Sequence, residues 1–311
     1  MIKILKILRF IPLFLFLISV FTANSYAQLS EESIIVNGTE RTYLAYTPEG
    51  TDTKNLPLVI ALHGHGGQGK SMMKMTDFNN LAEKEKFVVA YPDGMDKGWN
   101  DGRIEIEDGT KYDDVKFISA LIDKLELVYK IDSSRVFVTG MSNGGIFSLY
   151  LAFKLSHKIL AIAPVTANIP ENIYTDYKIE NPVSLMLING TADPLVNYDG
   201  GDVGFKILKS RGRTISTDKT IDKFVSRFKC ITVSDIEKIP DINTTDGCTS
   251  VKYIYSGCES NVQVVLVKVI NGGHTWPGGE QYLPKALIGN VCRDFSASEY
   301  IWNFFKSRKS Y

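Results

Sequence analysis

The sequence predicts an α/β fold: a mostly parallel, doubly wound sheet with an antiparallel hairpin at its N-terminal end. Three observations carry this. Short apolar runs of strand length recur along the chain, helix-period segments separate them, and an Asn-Gly dipeptide joins two alternating runs near the start.

The first 27 residues, MIKILKILRFIPLFLFLISVFTANSYA, are set apart from that pattern. Lys3, Lys6 and Arg9 form a basic n-region, Phe10 to Phe21 an apolar run, and Ser25-Tyr26-Ala27 a small-x-small cleavage signature. The run is shorter than the roughly 20 residues that span a bilayer. Residues 1–27 are therefore expected to be a signal peptide and residues 28–311 one domain, secreted to the periplasm or outside the cell and free of the membrane. That domain carries 32 basic against 35 acidic side chains, a balance that does not point to nucleic acid as a partner.

In the mature part, "SIIVNGTERTYLAYTP" alternates on both sides of Asn37-Gly38, which suits a two-residue type I′ turn. "PLVIALHG" is a continuous apolar run, as in a strand buried on both faces. "MTDFNNLAEKEK" reads as one helix and "FVVAYPDG" as the next strand. In "DDVKFISALIDKLELVYK" the apolar residues recur at helical spacing behind an Asp113 or Asp114 cap. "RVFVTG" is a strand and "GIFSLYLAFKL" a helix; "ILAIAPVTA" and "VSLMLING" are strands, and "DKTIDKFVSRF" is a helix. "VQVVLVKVING" is the last strand, and "SASEYIWNFFKSR" a closing helix capped by Ser296. Residues 199–220, rich in Gly, Lys, Arg and Thr, read as an insertion or mobile loop.

The stretch "VFVTGMSNGG" puts Ser142 between a strand and a helix, flanked by Gly140 and Gly144. A serine hydroxyl needs a base, an acid that orients the base, and donors for a developing oxyanion. On such a sheet these come from loops at the carboxyl ends of strands, in the order Ser, Asp, His. Asp193 follows the strand of "LMLINGTADPLV", and His274 follows the last strand in "VKVINGGHTWPGG". Backbone N–H groups of Asn143 and of His65, in "ALHGHGG", are the expected oxyanion donors. Taken alone, Ser142 would be a helix cap, and Asp199 or Asp202 could replace Asp193 as the acid. The four parts in the correct order favour the catalytic reading. No cofactor is called for.

His63 and His65 lack the further ligands of a hydrolytic metal centre, so no metal is expected there; His63 is expected to order its loop, and His157 to lie on a helix face. Trp99, Tyr198 and Trp276 each lie beside a loop carrying chemistry and are candidate walls of a substrate pocket. Cys230, Cys248, Cys258 and Cys292 form an even, clustered set with no CxxC pair, which favours disulfides over zinc and leaves three pairings open.

Together, "LHGHGG", "YPDGMDKGWNDGR", "RVFVTGMSNGG", "AIAPVTA", "NGTADPLVNYDGG" and "GGHTWPGG" resemble the secreted polyhydroxybutyrate depolymerase-like and feruloyl esterase group of α/β hydrolases, related to carbohydrate esterase family 1. The resemblance runs over residues 34–307 and places the triad on Ser142, Asp193 and His274. It also implies that Cys230 and Cys258 pair; a bridge between Cys248 and Cys292 lies outside its pattern. His65 stands where the group often has Cys or Gly, and "FVSRFKC" departs from the usual sequence before Cys230. The implied activity is hydrolysis of feruloyl or acetyl esters of plant cell-wall polysaccharide. Hydroxyalkanoate polyester is the alternative substrate, and glycan binding without catalysis the alternative from another class.

Overall fold

The computed structural model describes residues 28–103, 112–205 and 207–309; the expected signal peptide lies outside them. The chain runs through β1 (Gln28–Val36), β2 (Thr39–Thr47), β3 (Leu58–Leu62), α1 (Gly69–Thr76), α2 (Phe78–Glu85), β4 (Val88–Pro92), α3 (Asp114–Tyr129), β5 (Val136–Met141) and α4 (Asn143–Lys154). It continues through β6 (Ala161–Val165), β7 (Ser184–Gly190), the short β8 (Gly201–Asp202) and β9 (Arg213–Thr214), and α5 (Thr217–Arg227). Then come β10 (Thr232–Ile239), β11 (Thr249–Ser256), β12 (Val264–Ile270), the one-turn α6 (Lys285–Ile288) and α7 (Ala297–Lys306).

Ten strands form one sheet in the order β1-β2-β4-β3-β5-β6-β7-β12-β11-β10. The six from β4 to β12 run parallel, and an antiparallel pair closes each edge. Strands β3 to β7 are buried along their whole length, which is why they read as unbroken apolar runs. Alternate residues supply two cores. Leu58, Ile60 and Leu62 pack with residues of α3, α4 and α5, whereas Val59 and Ala61 pack with residues of α1, α2 and α7. The chain leaves β3 for β4 on one side and returns to β5 on the other. The carboxyl ends of β3 and β5 therefore flank a switch point, where connecting loops diverge and leave a crevice.

The hairpin forms as expected, with Asn37 at φ 50° and Gly38 at φ 76° between paired Val36 and Thr39. Asp113 caps α3 by accepting from Lys116 N–H, and Ser296 caps α7 by accepting from Glu299 N–H. Three expectations are corrected. Residues 75–86 are not one helix: Asp77 adopts a left-handed φ of 52°, ending α1 with a bond to Met73 O and starting α2. Strands β10 and β11 had no counterpart in the sequence reading, because the edge strand β10 carries mostly polar residues and buries little. Residues 199–205 and 207–220 carry regular structure, with the β8–β9 pair, buried Val203 and the first turn of α5. Among the described residues, no helix is long and apolar enough to cross a membrane.

Candidate active site

Ser142 sits on the sharp turn from β5 into α4 with φ 58° and ψ −122°, a conformation costly for a residue with a side chain. Close backbone approach explains its glycine neighbours. A Cβ on Gly144 would lie 2.3 Å from Leu62 O, and one on Gly140 would lie 2.5 Å from Gly144 O. The turn is held by Ser142 N–H donating to Val165 O at 3.0 Å, while Ser142 O accepts from Ile146 N–H at 2.8 Å.

Asp193 and His274 arrive from neighbouring strand ends. A Cβ on Gly190 would come within 2.3 Å of Gly272 O, so only glycine lets the β7 and β12 loops pack together. Ala192 N–H donates to Gly272 O, and His274 N–H to Ile288 O. The Asp193 and His274 side chains are buried, and His274 Nδ1 lies 2.7 Å from Asp193 Oδ2. The other carboxylate oxygen, Oδ1, accepts from Leu195 and Val196 N–H at 2.8 and 2.9 Å. A carboxylate so held keeps the imidazole proton on Nδ1, which leaves Nε2 free to act as a base. Asp199 and Asp202 are placed elsewhere: Asp199 is exposed, and Asp202 bonds Ser210 and Arg213.

Ser142 and His274 line one cavity of about 360 Å³. Its other walls include Met72 and Met75 of α1, Met141, Leu195 and Leu283. Gly64 lies against the Ser142 turn, its Cβ position 3.5 Å from Ser142 Cβ, so the His65 backbone follows close by. Asn143 is the first residue of α4, where an N–H has no intrahelical acceptor. Its buried side chain is a clamp: Oδ1 accepts from Trp99 N–H at 2.8 Å, and Nδ2 donates to Trp99 O and Asp101 Oδ2 at 3.0 and 2.6 Å. Asp101 in turn binds Arg103 at 2.8 Å.

Both nitrogens of His63 are engaged. Nε2 accepts from Gly94 N–H at 2.9 Å, which leaves Nδ1 to donate to Gly64 O at 2.8 Å. Burial lowers its pKa, and the acceptor role of Nε2 requires the neutral ring. At His65, desolvation lowers the pKa first, followed by the guanidinium groups of Arg211 and Arg103.

The three aromatic candidates for the pocket wall are not on it. Trp99 stacks on Phe147 and donates to His63 O, Tyr198 donates to Asp218, and Trp276 donates to Ser298 Oγ beside Phe78. All three are buried, because the apolar bodies of these rings fill the layers beneath the loops. The walls the sequence did not reveal, Met72, Met75, Phe205, Arg211 and Tyr282, sit on a helix and loops with no recognisable motif. Cys230 and Cys258 form a disulfide that joins the segments flanking the β10–β11 hairpin, whereas Cys248 and Cys292 are buried free thiols. Among the described residues, Asp246, Cys292 and Asp294 are the side chains near enough together to hold a metal ion. Their carboxylates already accept backbone N–H groups of Cys248, Arg293, Ile242 and Asn243, which fixes the loop instead.

Comparison with known proteins is consistent with this geometry. NocK of Nocardia uniformis subsp. tsuyamanensis, provisionally named an esterase, is 27% identical over 89% of this chain and 83% of its own length. The bifunctional acetylxylan esterase/xylanase XynS20E of Neocallimastix patriciarum is 27% identical over 76% of this chain and 31% of its own length. Feruloyl esterase B of Piromyces equi is 26% identical over 75% of this chain and 42% of its own length. The chain thus spans less than half of either of these two enzymes. The structure of acetyl xylan esterase from Aspergillus awamori superposes with a TM-score of 0.55 at 15% identity, covering 77% of this chain and 92% of that one, a likeness of fold. The phospholipase/carboxylesterase family profile matches residues 49–226, more than half of the chain. The chain belongs to the phospholipase/carboxylesterase family and has the α/β-hydrolase fold.

Proposed function

We propose that the protein is an exported serine carboxylesterase acting on feruloyl or acetyl esters of plant cell-wall polysaccharide. The observation that carries this is the buried His274–Asp193 pair opening on the same cavity as Ser142. In the proposed reaction, His274 Nε2 takes the Ser142 proton while Asp193 holds the imidazole, and Oγ attacks the ester carbonyl. The Asn143 and His65 N–H groups receive the oxyanion. His274 then returns the proton to the leaving alcohol, and water, activated by the same base, releases the acid from the acyl-enzyme. No cofactor enters this scheme.

Three findings support the reading. The family is one of carboxylesterases, two relatives are named for acetylxylan and feruloyl esters, and the cavity is apolar enough for an acyl group. Export rests on the N-terminal 27 residues and fits the Cys230–Cys258 disulfide, a bond that persists in oxidising compartments.

The test is hydrolysis of p-nitrophenyl acetate, methyl ferulate and a 3-hydroxybutyrate oligomer by residues 28–311, beside Ser142→Ala. Turnover by the wild type and a loss of about four to six orders of magnitude in the variant is the expected result. The preferred ester ranks polysaccharide against polyester. No turnover by either protein, with glycan binding retained in both, would replace catalysis by a binding role.

A further inference from the structure

The cavity wall carries one charged group that the proposed chemistry leaves unused. Arg211 lines the cavity together with Ser142, His274 and Phe205. It lies between β8 and β9, close to two other arginines whose charges are already matched. Arg103 binds Asp101 at 2.8 Å, and Arg213 binds Glu171 and Asp202 at 2.6 and 3.2 Å. Among the described residues, no carboxylate lies within ion-pair distance of the Arg211 guanidinium.

The backbone under this side chain is held firmly. Arg211 N–H donates to Val203 O at 3.0 Å, Val203 N–H to Gly212 O at 2.9 Å, and Gly204 N–H to Leu195 O at 2.9 Å. Gly212, at φ 88°, lies so near Arg103 that a Cβ there would meet the Arg103 Cβ at 2.9 Å. The hairpin thus carries Arg211 to the cavity on a fixed base, with an exposed side chain able to meet a ligand. Its charge acts on His65, the residue after Gly64 at the Ser142 turn.

An alkyl or neutral sugar group would leave this guanidinium unmatched beside Leu195 and Phe205. A carboxylate would satisfy it through the two-pronged geometry that arginine favours. We propose that Arg211 sets substrate preference by binding a carboxylate carried on the ester, so that the enzyme favours anionic esters. The carboxylate comes either from the acyl half, as in a half-ester of a dicarboxylic acid, or from the alcohol half, as a uronate on the polysaccharide. The inference rests on the esterase reading above and names the substrate class of the same site.

Two substrate pairs separate the sources. One is mono-4-nitrophenyl succinate against 4-nitrophenyl pentanoate; the other is acetylated glucuronoxylan against its carboxyl-reduced form. For at least one pair, the anionic-to-neutral ratio of kcat/KM should fall about three- to tenfold in Arg211→Gln, mainly through KM. Arg211→Lys should recover part of it. The wild-type ratio should also fall as salt rises from about 0.05 to 0.5 M. Equal ratios in wild type and Arg211→Gln for both pairs would overturn the proposal while leaving the esterase reading intact. A binding measurement decides the matter even without turnover. Ser142→Ala and Ser142→Ala/Arg211→Gln are titrated with mono-4-nitrophenyl succinate and with a glucuronate-bearing xylo-oligosaccharide. A weaker Kd for either ligand in the double variant supports the assignment; identical Kd values for both refute it.

Discussion

The Ser142 turn and the β8–β9 hairpin border the same cavity, yet they are built in opposite ways. At the turn, Ser142 is held in a strained conformation because β3, β5 and α4 approach so closely that Gly140 and Gly144 have no room for a Cβ. Buried backbone and the Asn143 clamp surround it, and every polar partner is internal. The hairpin is short and exposed, tied by ion pairs, with Ile207 left 92% exposed. Burial at the turn makes its geometry depend on packing that no single side chain can replace, whereas exposure at the hairpin lets its side chains vary at little cost. The proposed reaction thus falls on the first kind of structure and the proposed choice of substrate on the second.

The largest effect that would sharpen this contrast is expected from Gly144→Ala. The added Cβ would meet the Leu62 and His63 carbonyl oxygens at 2.3 and 2.5 Å, backbone atoms that cannot swing aside. A loss of about 3 kcal/mol in chemical denaturation is expected, at the upper end for overpacking. A variant as stable as wild type would mean the turn is far more pliable than its contacts suggest.

A smaller effect is expected from pH at the β3 loop. The folded pKa of His63 lies below its ordinary value of 6.5, so below that pH the unfolded chain binds more protons than the folded one. Its contribution is complete above pH 6.5 and is lost as pH falls toward the lowered folded value. Urea midpoints measured at pH 7.5 and pH 5.5 should therefore drop more for wild type than for His63→Gln. Equal drops would show that the ring is not held neutral.

The smallest change is expected at the exposed pair Lys74–Glu280, 3.1 Å apart with side chains 73% and 66% exposed. Lys74→Ala should alter stability by about 0.5 kcal/mol or less, because water screens such pairs. A larger loss by thermal unfolding would break the contrast, since an exposed contact would then be acting like a buried one.

Much of this molecule could be read from residue patterns. The buried parallel strands announce themselves as apolar runs, and the Asn37-Gly38 turn through its demand for positive φ. The Ser142, Asp193 and His274 loops could be placed because each follows such a strand and carries the glycines that close packing needs. The break at Asp77 was hidden, since either side of it is helical in composition. Strands β10 and β11 were hidden because the edge strand β10 is mostly polar and β11, though paired on both sides, is only partly buried along most of its length.

Local sequence determined the order of elements, the residues at each strand end and the turns that require glycine, because these depend on periodicity and backbone sterics over a few neighbours. Only the tertiary structure decided which side chains share the cavity. It buried Trp99, Tyr198 and Trp276 in packing layers and brought Met72, Phe205 and Arg211 to the wall. Those assignments depend on how loops from distant strands fold back over one crevice, a long-range relation that no local pattern encodes.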